Sequence, residues 1–200
     1  MTRVAWTAGA WLLAASPAFA QPASLPGNAP SIGVAASLAS LWDDETHLGR
    51  GAALAAEVNR PLGPHLRIGV EGGWFHHSRD SGYLIASGDV LQAAARVALL
   101  MGPREWRTRP FIGAGAGLSR STGSLTTRDP LALPVELRRE WTLTRPSVEL
   151  HAGLRIAGHG RWAVRPELRA GIVGGSSDVS TIEPPLLRLQ GGVAIEWMSP

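Results

Sequence analysis

Ser147, Glu149 and His151 come closest, by residue type and spacing, to a catalytic group. A serine, a histidine and a carboxylate can serve as nucleophile, base and orienting group in acyl transfer. Alternate residues of an extended strand share a face but lie about 7 Å apart, so a direct Ser–His hydrogen bond needs a partner strand. We therefore expect no enzyme activity here, and a lipid-modifying enzyme that uses Ser147 and His151 is the alternative.

Two other polar clusters could attract metal ions. His76 and His77 precede Arg79 and Asp80, but adjacent histidines of a strand point to opposite sides, which favours an ordinary polar loop. The acidic run 43–45 could attract a divalent cation, and a solvated loop is again the favoured interpretation. We expect neither a metal site nor a cofactor.

The glycine-rich run GAGAG at 113–117 lacks the spacing and the following helix of a dinucleotide-binding site. Glycines inside a strand more often make room for bulky neighbours. This run therefore indicates close packing rather than phosphate binding.

The composition narrows the class of protein. The chain has 200 residues, the length of one domain, and it contains no cysteine, which excludes disulfides, a thiolate nucleophile and a zinc–thiolate site. All 19 basic residues are arginines, scattered along the chain and nearly matched by 16 acids. This distribution predicts no nucleic-acid partner.

The N-terminal residues have the three parts of a secretory signal peptide. Arg3 precedes an apolar stretch at 4–15, and Ala18-Phe19-Ala20 forms an A-x-A cleavage site. We predict a signal peptide at 1–20, an extended proline-containing leader at 21–30 and one folded domain at 31–198.

Period-two alternation of apolar and polar residues dominates the remaining chain. In the last segment Leu187 and Leu189 alternate with Arg188 and Gln190. Such alternation predicts strands with one apolar face, and no stretch is long enough to cross a membrane as a helix. The predicted strands are 32–42, 51–59, 65–75, 89–100, 110–119, 147–157, 162–172 and 187–197.

The segments 51–59 and 91–100 are rich in Ala and Leu and could instead form helices, but their alternation favours strands. The connections alternate in length, which indicates short turns on one rim and long loops on the other. The shorter are 60–64, 101–109 and 158–161, the first loop 43–50 is intermediate, and the longer are 77–88, 120–138 and 174–185. We predict an all-β fold, an eight-stranded antiparallel up-and-down transmembrane β-barrel.

Alternation alone does not decide which face lies inside the barrel. Six tryptophans fall near strand ends, as expected of the aromatic bands at two membrane interfaces, although six tryptophans could also fill a soluble core. With the export signal and the loop asymmetry, this favours an apolar exterior. The proposed interface residues are Trp42, Trp74 and Trp141 near the long-loop rim, and Trp106, Trp162 and Trp197 near the short-turn rim.

The charged face then lines a lumen only wide enough for side chains, so its charges must be paired. This face carries Arg67, Arg96, Arg155, Arg165, Arg169 and Arg188 with Glu57, Glu71, Glu149, Glu167 and Glu196. A hairpin loop at 158–160 predicts Glu149 opposite Arg169 and His151 opposite Glu167, and a loop at 60–64 predicts Glu57 opposite Arg67.

One irregularity interrupts the alternation. The apolar parity changes between Leu143 and Val148, within a proline-rich region that ends at Pro146. A β-bulge near Pro146 would explain this change.

These alternating segments, together with Trp197 as a terminal aromatic that follows Leu189, Val193 and Ile195, resemble the small eight-stranded outer-membrane barrels. That group is typified by the membrane domain of outer-membrane protein A and its OmpX-like and OmpW-like relatives. Met198-Ser199-Pro200 after the aromatic residue departs from their usual ending.

The resemblance implies a monomer in the outer membrane of a Gram-negative bacterium. Its expected partners are outer-membrane lipid, lipopolysaccharide and the barrel assembly machinery, and its expected role is structural or surface interaction through the long loops. A soluble exported barrel that binds a small apolar ligand is a further alternative.

Overall fold

A computed structural model describes residues 29–43, 46–81, 84–127, 137–174 and 186–199. These residues form a closed antiparallel barrel of eight strands in chain order, as the alternation predicted. The strands are β1 (Ser31–Asp43), β2 (Thr46–Pro61), β3 (Leu66–Asp80), β4 (Leu84–Leu100), β5 (Thr108–Thr127), β6 (Leu137–Ala157), β7 (Trp162–Val173) and β8 (Leu186–Met198).

Both segments whose composition also permitted helices are strands, in β2 and β4. No helix in the described ranges has the length and apolar character needed to span a membrane. The predicted signal peptide at 1–20 and most of the leader at 21–30 lie outside the described residues.

The barrel closes with a stagger of ten residues. A path from Ile32 through successive paired residues returns to β1 at Trp42, ten positions further along the strand. With ordinary strand spacings, this stagger corresponds to strands tilted by about 40° from the barrel axis. The path therefore climbs by about 25 Å along the axis in one circuit. The path passes through Ile32, Val58, Val70, Ala95, Ala116, Val148, Ile172 and Leu187.

The two faces of the wall differ sharply in polarity. Leu168 is 59% exposed on the outside, whereas its neighbour Arg169 is 5% exposed inside. The same contrast separates Leu150 from Glu149 and Ile195 from Glu196. The apolar face therefore forms the exterior and the charged face forms the lumen.

The strands extend further than the alternation indicated on the rim opposite the chain termini. Much of the predicted loops 43–50, 77–88 and 120–138 is strand, because β2 begins at Thr46, β3 ends at Asp80 and β5 ends at Thr127. Polar residues such as Ser78 and Thr122 face outward in these extensions. Since neither face carries a regular apolar series there, the period-two signal is lost.

The predicted β-bulge near Pro146 is wrong. β5 and β6 pair residue for residue through Leu118 and Pro146, and Leu143 points inward beside buried Arg145. The apolar residues switch from odd to even positions because Leu143 faces the lumen, whereas Val148 faces outward. A register shift occurs instead between Leu41 and Trp42, where β1 pairs with β2.

Two hairpin turns are displaced from their predicted positions. Gly158 N donates to Trp162 O, which makes the loop 159–161, with Gly160 in the left-handed region at φ 88°. The loop has the predicted length of three residues but starts one residue later, and the register of β6 and β7 therefore shifts by two. At the other turn, Leu62 N donates to Leu66 O, so residues 60 and 61 stay in β2.

We predict that two strand glycines differ in their tolerance of alanine. A Cβ at Gly117 would lie 1.9 Å from the Ala93 carbonyl oxygen, whereas a Cβ at outward-facing Gly72 would meet nothing within 4 Å. Gly117→Ala should lower the free energy of unfolding of the refolded barrel, measured in urea, and Gly72→Ala should keep it or raise it by about 0.5 kcal/mol. Equal effects of the two substitutions would contradict the close packing of β4 against β5.

Candidate functional site

The lumen is filled by an ionic network of arginines and glutamates. Every charged residue that the sequence assigned to the lumen is buried or nearly so, and Glu196 has no exposed surface. An eight-stranded barrel has just enough internal space for such side chains to meet across it. The network is therefore the candidate functional site of the described chain.

Arg96 lies at the centre of this network. Glu57 and Glu71 face each other on β2 and β3, and two like charges at such a position repel. Arg96 reaches both from β4, with Nη1 3.0 Å from Glu57 Oε2 and 2.5 Å from Glu71 Oε2. Its Nε lies 3.3 Å from Glu149 Oε1 on β6. One guanidinium thus contacts carboxylates on three strands.

Glu196 organises the end of the lumen near the chain termini. It accepts hydrogen bonds from Arg67 Nη1 at 2.9 Å, Arg155 Nε at 2.9 Å and Arg165 Nη1 at 2.5 Å. Arg165 also donates to Glu57 at 2.6 Å and to Glu167 at 2.9 Å. Because Glu196 is fully buried among three cations, its carboxylate is the anchor of this cluster.

A third group extends the network toward the other rim. Arg169 contacts Glu167 on its own strand and donates to Glu71 Oε1 at 2.5 Å. Arg188 donates to Glu149 Oε2 at 3.0 Å and also to the side chain of Gln92. These bonds connect β3, β4, β6, β7 and β8 across the lumen.

The predicted strand-to-strand pairs are wrong. Glu57 lies opposite Glu71 rather than Arg67, His151 lies opposite Arg169, and Glu149 lies opposite Gly171. The displaced turn between β2 and β3 causes the error at Glu57. The displaced turn between β6 and β7 causes the errors at His151 and Glu149.

The ion contacts run across the lumen instead. Glu57 bonds Arg96 and Arg165, and Arg67 bonds Glu196. Glu167 faces Gly153 in the register, yet it contacts Arg165 and Arg169.

An apolar layer lies between the ionic network and the rim away from the termini. Phe75 is its largest member and is 2% exposed. The layer consists of Ala39, Leu41, Ala53, Phe75 and Val90, with Leu48 and Leu186 packed against it. The described lumen thus contains ion pairs along most of its length and an apolar cluster on β1 to β4 and β8 nearer that rim.

The GAGAG run makes room for bulky lumen side chains. Gly113 faces His151 and Gly115 faces Glu149 in the register of β5 and β6. A Cβ at Gly113 would lie 2.2 Å from His151 Nε2, and one at Gly115 would lie 3.0 Å from Glu149 Cγ. These glycines therefore serve packing, as their position in a strand suggested.

The candidate catalytic residues Ser147, Glu149 and His151 all point into the lumen. Glu149 is engaged by Arg96 and Arg188, and the His151 ring lies 5.9 Å from Phe111. In the described structure Ser147 Oγ and His151 Nδ1 have no hydrogen-bond partner. The serine is therefore not activated by this histidine in the present arrangement.

The two adjacent histidines point to opposite sides of β3. His77 is buried in the lumen, whereas His76 faces outward with Nδ1 3.0 Å from Asp89 Oδ1. In the described residues no three metal-ligating side chains converge. Of the acidic run 43–45, only the backbone of Asp43 is described.

The tryptophans lie at two levels of the wall. Trp162 and Trp197 are exposed neighbours on β7 and β8, and Trp106 is exposed in the turn after β4. Toward the other rim, Trp42 contacts the His47 ring at 4.5 Å.

Trp74 faces outward six residues before the end of β3, and its Nε1 donates to Asp89 at 3.0 Å. Trp74 was predicted to lie near the long-loop rim, but it lies further from that rim, within the wall. The backbone of Trp141 lies in β6, and its side chain is outside the described residues.

Sequence reasoning missed two lumen arginines, Arg109 and Arg145, which are 7% and 6% exposed. Both lie just beyond the predicted strands 110–119 and 147–157, at positions with the parity of the lumen face. Extending each alternating series by one lumen-facing position would have found them. These two residues increase the excess of arginines over glutamates in the described lumen.

The closed topology, the apolar exterior and the ion-paired lumen define the class of fold: a small eight-stranded β-barrel of the outer-membrane type. Solved structures of this class match nearly the whole described barrel. Neisserial surface protein A matches with a TM-score of 0.64 and 11% identity over 85% of this chain and 97% of that chain.

Two further solved structures show the same fold at low identity. A major outer membrane protein from Thermus thermophilus has a TM-score of 0.51 and 14% identity over 84% of this chain and 100% of that chain. OprG from Pseudomonas aeruginosa has a TM-score of 0.50 and 9% identity over 86% and 98%. No protein-family model and no curated protein sequence matches the chain.

We predict that Glu196→Gln destabilises the barrel strongly. The substitution leaves three buried arginines without their shared carboxylate, and an uncompensated buried charge typically costs about 3–5 kcal/mol. Urea unfolding of the refolded protein, followed by its heat-sensitive gel mobility, would measure the loss.

Glu105→Gln is the matched control, because Glu105 is exposed in the turn after β4. It should leave the unfolding midpoint unchanged. Adding Arg155→Met to Glu196→Gln should recover part of the loss, since it removes one unpaired cation. If Glu196→Gln behaves like Glu105→Gln, the network does not stabilise the fold.

Proposed function

We propose that this protein is an integral outer-membrane barrel of a Gram-negative bacterium with a filled, non-conducting lumen and a structural or surface-contact role. The observation that carries the proposal is the inverted distribution of residues in the barrel. An apolar exterior around an ionic interior matches the requirements of a lipid bilayer. The expected partners are outer-membrane lipid and lipopolysaccharide.

The boundary of the apolar band on the rim away from the termini supports a membrane position. On β1 to β6, outward-facing polar residues begin at similar heights, as expected where hydrocarbon gives way to headgroups. These residues, which the register and the strand tilt bring to similar heights, are Ser40, Arg50, His76, Asp89, Arg120 and Thr144. At the opposite end, exposed Trp162 and Trp197 mark the other interface.

A soluble exported barrel would need the opposite arrangement. Its apolar residues would fill the interior, whereas here Leu168, Ile156 and Ile195 are exposed and Arg169 and Glu149 are buried. Exposing so large an apolar surface to water would favour aggregation. The geometry therefore favours the membrane barrel over a carrier of a small apolar ligand.

The wall beyond the apolar band supports a surface-contact role. β5 continues for seven residues after Arg120, which corresponds to about 17 Å above the band. β6 runs beside it with exposed Thr142 and Glu140. This polar extension, with the connections it supports, is the surface we assign to contacts outside the cell.

A structural neighbour illustrates one such contact. The attachment invasion locus protein Ail of Yersinia pestis, which has a TM-score of 0.51 and 9% identity, was solved in complex with the heparin analogue sucrose octasulfate. Surface contact is therefore compatible with this fold, and we propose it here without a specified ligand.

We further propose that the chain is a monomer without enzyme activity and is inserted by the barrel assembly machinery. Trp197, preceded by Val193 and Ile195 on the outer face of β8, is the candidate signal for insertion. The lumen position of Ser147 and His151 argues against the lipid-modifying alternative, because acyl chains contact the outside of the wall. Unchanged lipopolysaccharide acylation in cells carrying His151→Ala would remove that alternative.

Single cysteines can test the orientation, because the chain has none of its own. In whole cells a membrane-impermeant maleimide should label Thr142→Cys in the extension of β6 but not Glu105→Cys in the turn near the termini. Leu150→Cys on the apolar wall should react only with a lipophilic maleimide. Residues 142, 105 and 150 are all exposed, so burial does not explain a difference.

After cell lysis, Glu105→Cys should become reactive toward the impermeant reagent, which verifies that its thiol is accessible. Labelling of Leu150→Cys by the impermeant reagent, or recovery of the protein in the periplasmic wash, would argue against membrane insertion.

We predict that the barrel conducts no steady ionic current. One void within the ionic network measures about 20 Å³, which is room for about one water molecule. Apolar side chains around Phe75 narrow the lumen toward the other rim. Planar-bilayer recordings should show no steps under conditions in which a wide porin conducts, and a stable open level would refute the filled lumen.

A further inference from the structure

The lumen opening near the chain termini has an excess of positive charge. Arg109 on β5 lies directly opposite Arg155 on β6, and like charges in register repel. The comparable pair Glu57 and Glu71 is bridged by Arg96, which carries the opposite charge. Among the described residues, no carboxylate bridges Arg109 and Arg155.

Arg109 is 7% exposed and bonds only uncharged acceptors. Its Nη2 lies 3.2 Å from His65 Nδ1, 3.3 Å from Leu100 O and 3.2 Å from Gly102 O. Its Nε donates weakly to Met101 O at 3.4 Å. The carboxylate that acts on it electrostatically is that of Glu105, in the exposed turn after β4, and the two side chains make no hydrogen bond in the described structure. Arg109 therefore lacks the bonded counter-charge that burial normally requires.

Arg155 also has binding capacity to spare. Its Nε bonds Glu196, a carboxylate that it shares with Arg67 and Arg165. Its Nη2 lies 3.3 Å from Met198 Sδ, and a thioether is a weak acceptor. Glu196 alone therefore does not balance the cations around it.

These guanidinium groups line one small cavity. The cavity holds about 60 Å³, roughly the volume of two water molecules, and is partly open to solvent between residues of β2, β8 and the turns after β2 and β4. Arg67, Arg104, Arg109 and Arg155 contribute to its lining, which contains no acidic residue in the described part of the chain. Planar guanidinium groups suit the oxygens of phosphate especially well.

We propose that this opening binds a phosphate group, held by Arg109 and Arg155 with Arg67 and Arg104 at its edge. The anion supplies negative charge between Arg109 and Arg155, just as Arg96 supplies positive charge between Glu57 and Glu71. The source is a free phosphate compound or the headgroup of an anionic lipid, since both carry the same oxygens. The proposal follows from the lumen geometry and does not depend on a surface-contact role.

The test is calorimetric titration of the full folded protein with inorganic phosphate, in nonionic detergent at constant ionic strength. We expect saturable binding with a Kd on the order of 1 mM or below. Arg109→Gln should weaken the affinity at least about tenfold. Arg120→Gln removes the same charge from the exposed outer wall near the other rim and should leave binding unchanged.

Heat-sensitive gel mobility and circular dichroism would verify that each variant is folded. If Arg109→Gln does not fold, Arg104→Gln replaces it, because Arg104 is exposed in a turn and lines the same cavity. It should weaken phosphate binding severalfold. No saturable binding by the folded wild type, or equal losses with Arg120→Gln and a cavity variant, would overturn the proposal.

Bilayer discs distinguish the two sources of phosphate. If phosphatidylglycerol in the disc prevents binding of inorganic phosphate, while phosphatidylcholine alone does not, the site takes a lipid headgroup. If phosphate binds equally in both discs, the site takes a soluble compound. Either result supports an anion site at this opening.

Discussion

The constraint that shapes this barrel is the need to neutralise buried charge in a cylinder too narrow for bulk water. Arg96 illustrates this constraint, because its guanidinium contacts carboxylates on β2, β3 and β6 at once. A buried ion without a partner costs several kcal/mol, so each strand must place its charged residue at the height of its partners. The network therefore ties together strands that are far apart in sequence and fixes the stagger of the closed sheet.

The same crowding explains where small residues occur inside the wall. Gly113 and Gly115 lie opposite His151 and Glu149, and Gly33 lies opposite Glu57, each at a place where a Cβ would touch the facing side chain. At these three places a glycine on one strand makes room for a large polar residue on the next. Charge pairing and packing consequently select the same register, and a shift of one strand would violate both together.

The extent to which the sequence predicts this structure depends on how local each signal is. Period two assigned Leu168 to the outside and Arg169 to the inside correctly, because a strand alternates its side chains whatever its partners are. The register depended instead on which residues form each turn. A loop at 158–160 and one at 159–161 look equally suitable in a sequence with glycines at both 158 and 160, yet they differ by two residues in pairing.

The long-range ion contacts were beyond a sequence argument for a related reason. Cross-strand neighbours follow from turn lengths, but the bond between Arg165 and Glu57 spans the lumen and follows only from closure of the barrel and its stagger. Strand ends such as Thr127 were equally hidden, since they lie beyond the apolar band. Within the apolar band, lipid selects apolar residues for the outer face and the lumen selects polar ones. Beyond the band, polar residues are stable on both faces.

The filled lumen also determines where function can reside. Ion pairs around Arg96 and apolar side chains around Phe75 occupy the described lumen, which leaves the two ends and the wall as the accessible places for a ligand. The ends differ in character. Toward the polar extension the wall carries serine, threonine and mixed charges, whereas the opening near the termini concentrates guanidinium groups that Glu196 only partly balances. The positive charge that the lumen carboxylates do not balance is thus concentrated at one end. The phosphate proposed to bind there would supply the negative charge that the chain lacks at this end.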